Sequence, residues 1–165
     1  MTLKIVRFPD PVLRRVAEPV AVFDDALRAF ARELLETMRA APGIGITAPH
    51  VGILKRLVVI DLGDTDGARF LVNPRVEWAS AETARHDEGS VSMPGIAAEV
   101  ERPARVRVAY QDLDGAPLTV EAGGLLAVCL QHEIDQLDGT FWLQRLSRLK
   151  RDRLTARFSK VERGR

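Results

Sequence analysis

Residues 124–137 read Gly-Leu-Leu-Ala-Val-Cys-Leu-Gln-His-Glu-Ile-Asp-Gln-Leu, and this stretch decides the fold. It is largely apolar on every side until Gln131, so the pattern predicts a helix without a broad polar face, buried at the centre of a domain. His132 and Glu133 interrupt that apolar surface. An imidazole and a carboxylate buried without partners cost roughly several kcal/mol, so something should compensate for them. Zinc-protease helices use His-Glu-x-x-His because residues four apart lie only about 40° apart around the axis. Two imidazoles then grip one metal while the glutamate reaches its bound water. Here the first histidine and the glutamate are present, and Gln136 stands at the second histidine's place. Taken alone, a His-Glu pair on a helix is more often incidental than catalytic.

Working outward, Asp24 to Ala40 carries Ala26, Leu27, Phe30, Leu34, Leu35 and Met38 on one stripe, predicting a helix capped by Asp24 and ended by Pro42-Gly43. Leu57 to Leu62 is almost wholly apolar, as a buried strand would be, and Arg69 to Trp78 is a strand interrupted by Asn73-Pro74. Arg105 to Tyr110 alternates, Asp112-Leu113-Asp114-Gly115 supplies hairpin chemistry, and the partner strand runs roughly from Leu118 to Glu121. After a short Phe141-Trp142-Leu143 segment, a final helix is expected from about Ser147 to Glu162. Strands joined by hairpin turns and mixed with long helices predict an α+β fold with mainly antiparallel pairing. With no repeat, low-complexity tract or linker, residues 1–165 read as a single domain.

The composition narrows the function classes. Apolar residues make up 46% and charged residues 28%, the proportions of an ordinary globular protein, and a net charge of +1 gives no global pull toward nucleic acid or membrane. The single cysteine, Cys129, excludes an intramolecular disulfide and suits a reducing compartment. Met1 to Val20 mixes charges among its apolar residues, and no run approaches the roughly 18 apolar residues needed to cross a bilayer. The expectation is a cytoplasmic protein without a membrane partner.

Two further stretches stand out. Gly43-Ile44-Gly45-Ile46-Thr47-Ala48-Pro49-His50 is a Gly-x-Gly turn that lets another backbone approach closely, without the third glycine or following helix of a dinucleotide fingerprint. Glu88-Gly89-Ser90-Val91-Ser92-Met93-Pro94-Gly95 is polar and punctuated by glycine. Each alone is more often a plain loop. In this order and spacing, the three stretches resemble the signature motifs of the peptide deformylase family: Gly-x-Gly-x-Ala-Ala-x-Gln, Glu-Gly-Cys-x-Ser and His-Glu-x-Asp-His. Pro9 to Arg14, Asn73-Pro74 and Asp112 to Gly115 extend the likeness over about residues 3 to 148.

The resemblance implies a deformylase-like fold built around the His-Glu helix. It implies a family reaction, the hydrolytic removal of the formyl group from the N-terminal methionine of nascent proteins, and a divalent metal (Fe²⁺ or Zn²⁺) held by one cysteine and two histidines. Carried over, Glu133 takes the catalytic position, His132 a metal-ligand position, Ser90 that of the cysteine, Gln136 that of the second histidine, and His50 that of a glutamine that binds the carbonyl oxygen. Ile44, Gly45, His50, Glu88, Gly89, Val91, Leu125 and Cys129 fall on substrate-binding positions. For Ile44, Leu125 and Cys129 the alternative is ordinary core packing.

Ser90, Gln136 and His50 depart from the family pattern. A neutral hydroxyl and an amide replace a thiolate and an imidazole, and two such losses should weaken metal binding by at least about 10² to 10⁴. The expectation is a deformylase-like protein with impaired or lost metal-dependent hydrolysis, or else a non-catalytic binder of formyl-methionyl peptides or the ribosome. Three roles for His50 stay open: a replacement ligand with His132 and Glu133 or Glu88, an oxyanion donor without metal, or a drifted packing residue. His86 reads equally as a new contact or a solvated strand residue, and Glu88 could pair with Arg102 to brace the second motif. Ser147 to Arg165 carries eight Lys or Arg residues against Asp152 and Glu162. That helix is either a solvated face or, as the resemblance implies, a surface for ribosomal RNA.

Overall fold

The computed structural model describes residues 1–164. Seven strands and three α-helices follow in the order α1 (Asp25–Ala40), β1 (Gly45–Thr47), β2 (Leu57–Ile60), β3 (Arg69–Ala79), β4 (Thr83–Glu88), β5 (Ala98–Pro103), β6 (Arg105–Gln111), β7 (Pro117–Gly123), α2 (Gly124–Leu137) and α3 (Arg148–Arg163). An antiparallel five-stranded sheet runs β1-β2-β3-β6-β7, and β4 and β5 form a separate ribbon. The fold is α+β, as the sequence pattern predicts.

The large sheet is covered on both faces, which explains why β2 is apolar at every position. Leu57 and Val59 pack with Val72 against Leu27, Ala31, Leu34 and Met38 of α1. Val58 and Ile60 face the other way, with Leu71, Val106 and Val108, onto Ala127, Leu130, Ile134 and Leu137 of α2. The Asp24 carboxylate caps α1 by accepting the Leu27 N–H at 2.9 Å. Within α2, every residue from Ala127 to Ile134 is buried, so the helix is the core element its composition predicts. A third cluster joins Leu13, Met93, Ile96 and Val100 to Phe141, Trp142 and Phe158, tying the β4-β5 ribbon and α3 to the body.

Two features differ from the sequence expectation. Asn73-Pro74 does not break β3: Asn73 adopts φ 51°, and the β3-β6 register shifts between Val72 and Arg75, forming a bulge. The Asn73 side chain ties that bulge down, accepting the Val20 N–H and donating to the Val20 and Gln111 oxygens at 2.8–2.9 Å. Of the β4-β5 ribbon, the sequence reading offers only a solvated strand residue at His86, and only as one alternative. The ribbon's buried positions include Glu88 and Arg102, so apolar alternation does not mark it.

Candidate active site

The three sequence stretches meet in one cavity of about 470 Å³, a size suited to a small ligand or a side chain with its backbone. From the first stretch come Ile44, Gly45 and His50; from the second, Glu88, Gly89, Ser90 and Val91; from α2, Leu125, Cys129, His132 and Glu133. Ile44 and Leu125 are 43% and 47% exposed, so they form an apolar rim and are not core packing. Cys129 is buried in the α2 core while lining the cavity, and burial, with Glu133 and Glu88 adding to it, pushes its thiol up to about 12. It is therefore no nucleophile at neutral pH. Gln136 and His86 are not among the lining residues.

Gly45 is where a close approach needs glycine, though what approaches is a side chain and not the backbone its sequence suggests. A Cβ there would collide with Glu133 Oε2. Glu133 is 4% exposed, and its Oε1 has no hydrogen-bond partner. Burial, with a push from Glu88 and against the pull of His132 and Arg102, raises its carboxyl to about 7. Glu133 thus stands near the midpoint of its titration at neutral pH, where a group can both take and return a proton.

Behind the cavity wall lies a chain of charges. Arg102 is 4% exposed and grips Glu88 with Nε to Oε2 at 2.6 Å and Nη2 to Oε1 at 2.9 Å. Its Nη1 donates to Asp135 at 2.8 Å, and Asp135 is held in turn by both Nε and Nη2 of Arg145 at 2.8 and 2.7 Å. Glu88 Oε1 also meets His132 Nδ1 at 2.8 Å. Burial opposes ionising Glu88, yet Arg102 and His132 outweigh it and hold the carboxyl at about 2. The same balance raises His132: burial disfavours its charge, but Glu133 and Glu88 more than offset that. The expected Glu88–Arg102 pair is present. Asp135 and Arg145 extend it, and sequence reasoning assigned them no role.

His50, 1% exposed, sits in a 3-10 turn after β1. Its Nδ1 lies 2.9 Å from the Thr47 backbone N–H and 2.9 Å from Thr47 Oγ1, while its Nε2 is buried without a partner. Burial, helped by His132, drops its pKa to about 3. From the third position of the turn, the His50 ring reaches back to cap it at the Thr47 N–H.

The remaining ligand positions are otherwise engaged. Ser90 Oγ accepts the Ser92 N–H at 3.1 Å, and Gln136 Nε2 donates to the Leu13 carbonyl at 2.7 Å, tying α2 to the N-terminal segment. Gln136, placed by the resemblance at the second histidine's position, therefore does not share the cavity with His50. Among the described residues, no group of three or more His, Cys, Asp or Glu side chains could hold a metal ion. No replacement site from His50, His132 and Glu133 or Glu88 assembles among the described residues: Arg102 and His132 occupy Glu88, and a His50 ring whose Nδ1 accepts the Thr47 N–H carries its proton on Nε2. The residues present do not fit a divalent metal held by protein side chains.

A His-Glu core helix packed against a glycine-bearing strand beside an apolar-rimmed cavity, in an α+β fold, defines the class of protein. Within that class the chain belongs to the polypeptide deformylase family, whose profile matches residues 2–152. It is 62% identical over 164 residues to a peptide deformylase-like protein of Brucella melitensis biotype 1, covering 99% of this chain and 100% of that one. A peptide deformylase of Brucella suis is 47% identical over 160 residues, covering 95% and 91%. The solved peptide deformylase of Legionella pneumophila superposes with a TM-score of 0.94 at 37% identity, covering 99% of this chain and 96% of that one. The family is metal-dependent and serves protein biosynthesis by acting on N-formyl-methionyl peptides. No helix among the described residues is long and apolar enough to cross a membrane.

Proposed function

We propose that this chain, working as one cytoplasmic domain, recognises the N-formyl-methionyl ends of peptides and that the family's metal-dependent hydrolysis is impaired or lost in it. The observation that carries this reading is the fate of two ligand positions: Gln136 is turned onto the Leu13 carbonyl and the Ser90 hydroxyl caps the Ser92 N–H. The apolar side of the cavity supports the recognition half of this reading. The half-exposed Ile44 and Leu125 at the rim, with Cys129 and Val91 beneath them, offer apolar surface for a methionine side chain. Gly45 and Gly89 keep the walls clear, and Glu133 and His132 remain at the floor. Any residual hydrolysis would use Glu133 as the group that moves the proton.

The test is deformylation of a formyl-methionyl tripeptide after anaerobic loading with Fe²⁺, Ni²⁺ or Co²⁺, beside the Ser90→Cys/Gln136→His/His50→Gln variant. Turnover in the variant alone is the expected result; equal metal-dependent turnover in both overturns the reading. On α3, Ser147 caps the helix and Phe158 anchors it, leaving Lys150, Arg153, Arg157 and Lys160 exposed. That face supports ribosomal RNA as a second partner, and salt-sensitive co-sedimentation with ribosomes would test it. Arg165 lies outside the described residues.

A further inference from the structure

A second cavity, of about 270 Å³, opens between the N-terminal segment and α3, on residues that the formyl-peptide reading does not use. Its floor is apolar: Phe8, Phe141 and Leu143. Phe141 and Leu143 are buried, and the partly exposed Phe8 ring stacks on Phe141 with centroids 5.2 Å apart and planes 13° apart. The edge of Phe158 holds Phe8 from another side at 6.2 Å, so the floor is fixed before anything binds. Three arginines stand on the wall. Arg14 comes from the end of the 3-10 turn Pro11–Arg14, and Arg148 and Arg151 come from α3. Among the described residues lining the cavity, Asp152 is the one acid. It approaches Arg148 only to 3.9 Å, with the two side chains 72% and 88% exposed, so the pair contributes little. The guanidiniums of Arg14 and Arg151 have no hydrogen bond or ion pair among the described residues.

Three cations against one carboxylate leave a surplus of two positive charges above an apolar floor. Arg148 and Arg151, three apart on one helix face, also repel each other, and an anion between them relieves that. This is not the α3 face offered to RNA. Arg148, Arg151, Asp152 and Thr155 follow the spacing of one face and Lys150, Arg153, Arg157 and Lys160 that of another, with the inward Leu154 and Phe158 lying between them. The charge surplus selects the anion. A carboxylate would cancel half of it, whereas a phosphate monoester carries about −1.5 to −2 at pH 7 and presents three acceptor oxygens. Planar guanidiniums donate to such oxygens in pairs. The volume, a little under the roughly 300–1,000 Å³ of drug-sized sites, and the aromatic floor select a small planar body for the ester. We propose that this cavity binds a small aromatic phosphate monoester, an aryl phosphate or a mononucleotide, with Arg14, Arg148 and Arg151 on the phosphate and Phe8 beneath the ring.

Calorimetry of the full chain with phenyl phosphate at pH 7.5 tests the proposal, beside inorganic phosphate, sn-glycerol 3-phosphate and benzoate. The first two comparison ligands lack the apolar body and the third lacks half the charge, so each should bind at least about fivefold more weakly than phenyl phosphate. Arg14→Gln and Arg151→Gln should each weaken phenyl phosphate by about 5- to 20-fold, while Arg153→Gln and Arg157→Gln, on the other face, should stay within about twofold. Arg151→Lys, which keeps the charge and loses the fork, should fall between Arg151→Gln and the parent. Because the second phosphate pKa lies near about 6, affinity should drop about fourfold from pH 7.5 to about 5.5. In ¹H–¹⁵N spectra the shifted amides should include Gln144 and Thr155. Displacement by adenosine 5′-monophosphate at those amides makes a mononucleotide the source, and its failure to compete makes it a smaller aryl ester; either supports the site. Inorganic phosphate binding as tightly as phenyl phosphate, or both glutamine variants binding it as the parent does, would overturn the proposal. So would a short RNA that binds where phenyl phosphate does not. Should Arg151→Gln fail to fold, Arg14→Gln and the ligand series still decide the outcome.

Discussion

Arg102 offers the sharpest test of how the cavity floor is held. Replacing it by methionine keeps most of the side-chain volume and removes the charge from a position 4% exposed. Asp135 keeps Arg145, but Glu88 loses a two-toothed partner and is left as a buried carboxylate with only His132 beside it. Breaking a buried pair from one side costs about 3–5 kcal/mol. An independent figure comes from the proton balance. The Glu88 carboxyl falls from its ordinary 4.5 to about 2 on folding. At about 1.4 kcal/mol for each factor of ten, that depression is about 3 kcal/mol of stability, present above the unfolded pKa and lost as pH falls through the folded one. The two figures agree, and both are large against a total of about 5–15 kcal/mol.

The assay is urea unfolding of Arg102→Met and its parent between pH 7.5 and 2.5, followed by circular dichroism. Arg105→Met serves as control, because its 3.4 Å pair with Glu82 is open to solvent on both sides and is worth under about 1 kcal/mol. At pH 7.5, Arg102→Met should lose about 3–5 kcal/mol, or roughly 6–20 °C in Tm, and the acid limb from about pH 4.5 downward should flatten. If Arg102→Met loses no more than the control, or its acid limb stays as steep as the parent's, the buried brace is not what orders Glu88 and His132.

Three other substitutions probe the same site and the sheet behind it. Glu133 is raised by burial from 4.5 to about 7, so ionising it opposes folding: parent stability should drop by about 3 kcal/mol as pH climbs from about 4.5 through 7. Glu133→Gln should remove that slope, matching the parent near pH 4 and exceeding it by up to about 3 kcal/mol at pH 8 in urea unfolding. Gly45→Ala places a methyl against Glu133 Oε2, so it should cost about 1–3 kcal/mol and abolish calorimetric binding of a formyl-methionyl tripeptide. Asn73→Ala removes three hydrogen bonds at a φ of 51° and should destabilise by about 2–4 kcal/mol without altering peptide affinity, since the bulge is remote from the cavity.

The parts of the fold legible in the sequence are those where burial and residue type agree. The α2 helix could be read because Leu125 to Leu130 are all apolar ahead of Gln131, and β2 because a strand buried on two faces carries no polar code at all. The β4-β5 ribbon could not, because the usual code is inverted there: the inward positions include Glu88 and Arg102, whose charges satisfy one another only after folding pairs them. Asn73-Pro74 looked like a break because proline cannot donate to a ladder, and a bulge absorbs it. At the site, helical spacing brought Gln136 toward the expected cavity, but the Leu13 carbonyl, 123 residues away in the chain, captures its amide. A capture of that kind depends on tertiary packing, which helical spacing does not reveal.

The arrangement bears on whether the domain is a relic whose cavity has no occupant. His50 Nε2 and Glu133 Oε1 are buried with no protein partner among the described residues, and such atoms oppose folding by about 1–3 kcal/mol each where nothing else meets them. Ionising Glu133 adds to that above neutral pH. A cavity kept only for packing would be better served by an apolar or amide side chain at position 133, since a buried carboxylate whose ionisation opposes folding adds nothing to packing. The chain instead leaves the space above Gly45 open to the Glu133 carboxylate, and it fixes the His50 ring from behind through Thr47. These are local stability losses concentrated at one site. A domain that has exchanged the side chains at positions 90 and 136 yet keeps this strand glycine and this core carboxylate supports the binding reading over the relic one.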